Sequence, residues 1–207
     1  MSITTTSILI VDDHQLIRET WAHILNDESH ITVVGKAANG EECIEMVNTL
    51  NPDIILMDID MKPINGIKAT REIRKISSLI KIIGISMHSH PHYVTRMLEE
   101  GAKGYITKNV SKAELMEAIM EVKNGKMYLS PDVKGILADY VLTQEKGKKR
   151  ISEREHEIVE LICQGLTSFE ISIKLQIKKS TVEVHRHNIL RKLNLKNTAE
   201  LVNHFYS

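Results

Sequence analysis

An alternation constrains this chain more than any other feature. Five short apolar runs (Ile8 to Val11, Ile31 to Lys36, Asp53 to Met57, Lys81 to Ile85 and Gly104 to Ile106) are separated by helical periodicity at about 15–26, 40–49, 66–76, 91–100 and 111–124. Repeated strand-helix units with short links predict a parallel sheet covered by helices on both faces. Asn51-Pro52 and Gly101 punctuate the pattern. Ser111 and Glu114 have capping-box spacing ahead of an apolar stripe of Leu115, Ala118, Ile119 and Val122.

The pattern changes after residue 124. Ser130-Pro131 predicts the start of a short helix with Val133, Ile136, Leu137, Tyr140 and Val141 on one face. The polar string "TQEKGKKR", 143–150, has no apolar periodicity and reads as a linker. Beyond it the pattern is helical, at about 153–163, 168–175, 180–193 and 197–205, with capping-box pairs Ser152/Glu155 and Thr167/Glu170. Three regions result: 1–124, a linker at 125–150 with a short helix, and a small all-α region at 151–207.

Charge follows the same division. Lys148 to Ser207 holds 11 Lys and Arg against 7 Glu, whereas the remainder holds 16 basic against 20 acidic residues. An acidic front and a basic back imply different partners. No apolar run is long enough to span a bilayer and no N-terminal signal pattern appears, so the chain reads as cytoplasmic with no membrane partner. Cys43 and Cys163 lack metal or disulfide spacing and read as small buried hydrophobes.

In an open parallel sheet, chemistry gathers beyond the carboxyl ends of the strands. There the first strand delivers Asp12 and Asp13, the third Asp58, the fourth Ser86 and the fifth Lys108. Carboxylates crowded at one rim repel each other, and a hard divalent cation such as Mg²⁺ relieves that while sharing a phosphate ligand. A carboxylate facing Mg²⁺, a hydroxyl and a lysine suits nucleophilic attack on phosphorus, and Asp58 stands at the middle of the group.

On these residues the first 124 positions resemble the receiver domain of bacterial two-component response regulators. The resemblance implies a doubly wound, flavodoxin-like five-stranded parallel sheet and Mg²⁺ held at Asp12, Asp13 and Asp58. It also implies phosphoryl transfer from a histidine kinase to Asp58, with Ser86 as switch hydroxyl, Tyr105 as switch aromatic and Lys108 as the lysine. One departure follows Asp58: "MKPING" has Lys62 where the family usually has Pro, and Pro63 one place later. A rival reading takes "DIDM", 58–61, as the start of a haloacid-dehalogenase-like phosphatase with Asp60 as general acid. Its acidic metal ligands should then follow the lysine, and none follows Lys108. His88, His90 and His92, three histidines just after Ser86, match no common metal spacing and read as a polar loop.

The segment from about 151 to 205 carries "SEREHEIVELI", "QGLT", "TVEVH" and "NILRKL". It resembles the NarL/LuxR-type helix-turn-helix, which implies binding to double-stranded DNA. Lys178, Lys179, Thr181, Glu183, Val184, Arg186, His187, Arg191 and Lys192 are the candidate contacts, with Lys196 nearby. A basic helix of this kind lies in the major groove with phosphates on each side. Two places depart from the family: Lys178 stands where Ser is frequent, and Glu183 where Lys is. Ser180 and Glu183 also have capping-box spacing, so Glu183 has either a base-reading or a helix-capping role. Phe169 is an unusual apolar residue in the preceding helix. Together the two resemblances imply a transcriptional regulator, not an enzyme, that pairs into a homodimer when phosphorylated. A regulator acting without phosphorylation is the alternative.

Overall fold

The computed structural model describes residues 5–87, 90–144 and 151–206. His88, linker residues 145–150 and the side chain of Val141 lie outside the described residues. The chain divides into two compact units, Met1–Asp139 and Tyr140–Ser207.

The first unit alternates β1 (Thr6–Val11), α1 (Gln15–Asn26), β2 (Ile31–Ala37), α2 (Gly40–Leu50), β3 (Ile54–Asp58), α3 (Gly66–Ile76), β4 (Lys81–Ser86), α4 (Pro91–Glu99), β5 (Gly104–Thr107) and α5 (Lys112–Lys123). The strands pair in parallel in the order β2-β1-β3-β4-β5, and a further strand, β6 (Tyr128–Leu129), adds to the β5 edge. The sheet therefore has six strands, one more than the alternation predicts. Tyr128 and Leu129 are too short a run to show strand periodicity, and their pairing with Gly104 and Tyr105 is set by contacts remote in sequence.

Side chains alternate across the pleat and build two cores. Leu9, Val11, Ile55, Met57 and Ile82 face one side with residues of α2, α3 and α4. Ile8, Ile10, Ile54, Leu56, Ile83 and Ile85 face the other with residues of α1 and α5. Both faces being covered is why the strands read as continuous apolar runs. Strand order reverses between β1 and β3, and a crevice forms at such a point beyond the strand ends.

Helix α6 (Pro131–Gln144) follows β6. Val133 is fully buried in the same core as Tyr105, and Leu137 packs against that core. The start of α6 is tied to β6 through the backbone, the Lys134 N–H donating to the Ser130 carbonyl at 3.0 Å.

The second unit contains α7 (Glu153–Cys163), α8 (Ser168–Lys174), α9 (Lys179–Leu193) and α10 (Thr198–Tyr206). Ile158, Val159, Ile162, Ile171, Val182, Ile189 and Leu201 form its core. Capping boxes form at Ser152/Glu155 and Thr167/Glu170, as their spacing predicts. None starts α9: Lys178 is its N-cap, without a side-chain cap, and Ser180 lies inside the helix. The capping-box reading of Ser180 and Glu183 is thus corrected, because the helix begins ahead of Ser180.

Candidate phosphoacceptor site and nucleic-acid interface

The acidic site is assembled by the ends of β1, β3, β4 and β5. Asp12 and Asp58 are both 2% exposed, and Ser86 is equally buried. Lys108 Nζ lies 2.6 Å from Asp12 Oδ2 and 2.9 Å from Asp58 Oδ2. One ammonium thus bridges two buried carboxylates and leaves a net negative charge. Asp13 lies at the exposed rim. Ligand atoms of Asp12, Asp13, His14 and Asp58 all fall within 4.8 Å of one another. A surplus of convergent carboxylate oxygens fits a hard divalent cation.

His14 was not expected in this cluster. Its Nδ1 lies 2.7 Å from Asp13 Oδ1 and 3.3 Å from Asp12 Oδ1, and its backbone N–H donates to Asp12 Oδ1 at 2.9 Å. As N-cap of α1 it is held where the chain turns from strand to helix, and its position directly after the acidic pair was the available signal. Arg18 reaches back from α1 to donate to the Asp12 carbonyl oxygen.

Burial pushes the Asp58 carboxyl up to about 6; the Lys108 charge opposes this, and Asp12 and Asp60 add to it. Burial works against the Lys108 ammonium too, but hydrogen bonds and attraction from Asp12 and Asp58 outweigh it and hold its pKa above the ordinary value. Tyr105 is fully buried. Its hydroxyl is hydrogen-bonded to Ser86, and burial raises its pKa. The two residues read from sequence as a switch pair are therefore in contact.

The loop after β3 is anchored by Gly66, whose N–H donates to the Ile59 carbonyl at 3.0 Å. A Cβ on Gly66 would lie 2.0 Å from the Asp58 carbonyl oxygen, so only glycine allows α3 to start this close to the site. Lys62 is exposed, and the Lys62–Pro63 peptide is cis. Asp60 is exposed at the rim. His90 caps α4 and accepts from His92 N–H, and both rings meet Tyr93 edge-on.

In the second unit the candidate DNA residues fall into two groups. Lys178, Lys179, Thr181, Glu183, Val184, His187 and Arg191 are exposed, with Val184 at 58%. Arg186 and Lys192 are engaged within the unit. Arg186 donates to Ser168 Oγ at 3.1 Å and to Thr198 Oγ1 at 2.9 Å, tying α9 to α8 and α10. Lys192 Nζ lies 2.5 Å from Oε2 of Glu155, which is 3% exposed. Phe169 and Ile173, one turn apart on α8, are 60% and 62% exposed.

A doubly wound sheet with a lysine-bridged carboxylate cluster, followed by a helix-turn-helix, defines a signal-responsive regulator. Residues 8–120 match the response regulator receiver domain, and residues 149–205 match the luxR family of bacterial regulatory proteins. The chain belongs to the two-component response regulators that join a receiver to a LuxR-type DNA-binding domain, a family that regulates transcription. It is 35% identical to the nitrate/nitrite response regulator protein NarL of Escherichia coli K12, over 94% of this chain and 92% of that protein. It is 34% identical to the response regulator UvrY of the same strain, over 94% and 91% of the two chains. The crystal structure of a LuxR-family two-component response regulator from Aurantimonas sp. SI85-9A1 matches with a TM-score of 0.65 and 33% identity, over 67% of this chain and 99% of that one. These matches displace the phosphatase reading. Among the described residues no helix is long and apolar enough to cross a membrane.

Proposed function

We propose that Asp58 accepts a phosphoryl group from the phosphohistidine of a sensor kinase, with Asp12, Asp13 and Asp58 holding Mg²⁺, and that this controls DNA binding by the second unit. The carrying observation is Lys108, whose ammonium sits within 2.6–2.9 Å of both buried carboxylates. An Asp58 carboxylate oxygen attacks phosphorus, the phosphorus–nitrogen bond breaks, and the departing imidazole takes up a proton. Mg²⁺ supplies charge neutralisation to the phosphoryl oxygens. Lys108 exchanges its contact with Asp58 for a phosphoryl oxygen, and Ser86 donates to another. The second of these changes draws on the Ser86–Tyr105 contact. Because β5, which carries Tyr105, is hydrogen-bonded to β6, and β6 runs into α6, strand pairing and then chain continuity link the change to the segment that leads into the second unit.

The exposed set Lys178, Lys179, Thr181, Glu183, Val184, His187 and Arg191 meets double-stranded DNA, with α9 in the major groove. The phosphorylated chain acts as a homodimer in the cytoplasm and regulates transcription without an enzymatic reaction of its own. In this reading residues 1–124 form the receiver, 125–150 the connection and 151–207 the output domain.

Intact-mass measurement after incubation with acetyl phosphate and Mg²⁺ tests the acceptor. One added phosphoryl group is expected, lost on chelation and in Asp58→Asn. Equal labelling of that variant overturns the assignment.

A further inference from the structure

Glu183 is the only acidic residue of α9, a helix that also carries Lys179, Arg186, Arg191 and Lys192. It is exposed, and among the described residues no hydrogen bond or ion pair engages it. Of the two cations one turn away, Arg186 is directed to Ser168 and Thr198, and among the described residues no ion pair joins Lys179 to Glu183. Its one local structural role, a capping box with Ser180, is absent because α9 is capped at Lys178. Glu183 lies near the N-terminal end of the helix, one turn before His187, and both line the same recess with Thr167, Ser168 and Arg186.

We propose that Glu183 is a specificity-determining residue that accepts a hydrogen bond from a base amino group, preferentially cytosine N4, in the major groove. The inference rests on the DNA-binding reading of α9. An ionised carboxylate is an acceptor only. Guanine shows it two acceptors and thymine shows it O4, so both repel it; cytosine shows an amino donor, and adenine shows one beside the N7 acceptor. Phosphates repel the same carboxylate on every sequence, which weakens non-specific binding. Glu183 therefore discriminates in both directions, through one satisfied contact at the right base and an unsatisfied charge at the wrong one.

The test is selection of duplexes from random sequence by the full chain, compared with Glu183→Gln and Glu183→Ala. Since Glu183 is exposed and unengaged, both variants should keep the wild-type thermal unfolding profile. The wild type should prefer cytosine at one position per half-site by about tenfold, toward the lower end of what one base contact gives. The Ala variant should lose that preference, and both variants should bind random duplex more tightly. The same motif from all three proteins, with the cytosine preference intact, overturns the inference while leaving DNA binding standing. A wild type that enriches no motif and binds no duplex overturns the DNA-binding reading, and the inference with it.

Discussion

Lys192 illustrates how a basic residue in a cation-rich helix can serve its own domain. Its ammonium lies 2.5 Å from Glu155 Oε2, and the side chains are 21% and 4% exposed. Glu155 also accepts the Ser152 N–H at 2.7 Å, completing the cap of α7. Lys192→Met keeps the aliphatic stem and removes only the charge. Breaking a fully buried pair costs roughly 3–5 kcal/mol, whereas an exposed pair is worth about 0–1 kcal/mol. With one partner buried and the other partly solvated, and with the Ser152 bond retained, about 2 kcal/mol is expected. Hydrogen-exchange mass spectrometry resolves the two units of the full chain, and amides of α7 and α9 should lose about 30-fold in protection.

Glu155 adds a pH signature. Burial raises its pKa, but hydrogen bonds from Lys192 and Ser152 and attraction by Lys192 outweigh this and hold it below the ordinary value. Its contribution is therefore complete above the unfolded carboxylate value of about 4.3 and is lost as pH falls through the lower folded value. The gap between wild type and variant should be full at neutral pH and shrink in that acid window. A phosphate-contacting lysine behaves differently, since its loss lowers the salt slope of DNA binding by about 0.9. Unchanged exchange protection together with a reduced salt slope would refute the internal role.

Gly66→Ala places a Cβ 2.0 Å from the Asp58 carbonyl oxygen, where backbone must move. A loss of about 1–3 kcal/mol or more in urea unfolding is expected, with slower labelling of Asp58 by acetyl phosphate. His92, with its pKa pushed down to about 4 by burial and then by His90 and Arg96, binds its proton more readily in the unfolded chain, where the value is about 6.5. Its contribution is complete above about 6.5 and is lost as pH falls toward 4, so His92→Gln should flatten the pH dependence of unfolding across that window.

Much of the site was legible because strand-end positions announce themselves. Asp12, Asp58, Ser86 and Lys108 each follow or close a run of apolar residues, and a parallel sheet carries those ends to one rim. Helix starts were legible where side-chain chemistry marks them, as at Ser111, Ser152 and Thr167. What the sequence did not show are relations between distant side chains. A census of basic residues cannot reveal that Arg186 turns to Ser168 and Thr198, or that Lys192 meets Glu155 across 37 positions. Nor does it reveal that the His14 ring returns to the acidic pair, because ring orientation depends on the turn between β1 and α1. The sixth strand escaped because two residues carry no alternation.

That strand has a practical consequence for anyone dividing this protein into pieces. β5 would otherwise be the outermost strand, presenting open backbone donors and acceptors that invite a neighbouring molecule to add on. Tyr128 and Leu129 pair with Gly104 and Tyr105 along the first half of that edge, and four residues further Val133 plugs the core around Tyr105. A fragment cut at residue 124 would lose edge and plug together. It should self-associate through the bared strand and loosen the packing that holds Tyr105 inward. A fragment ending after residue 139 retains both and is the smaller piece that remains a faithful stand-in for the receiver.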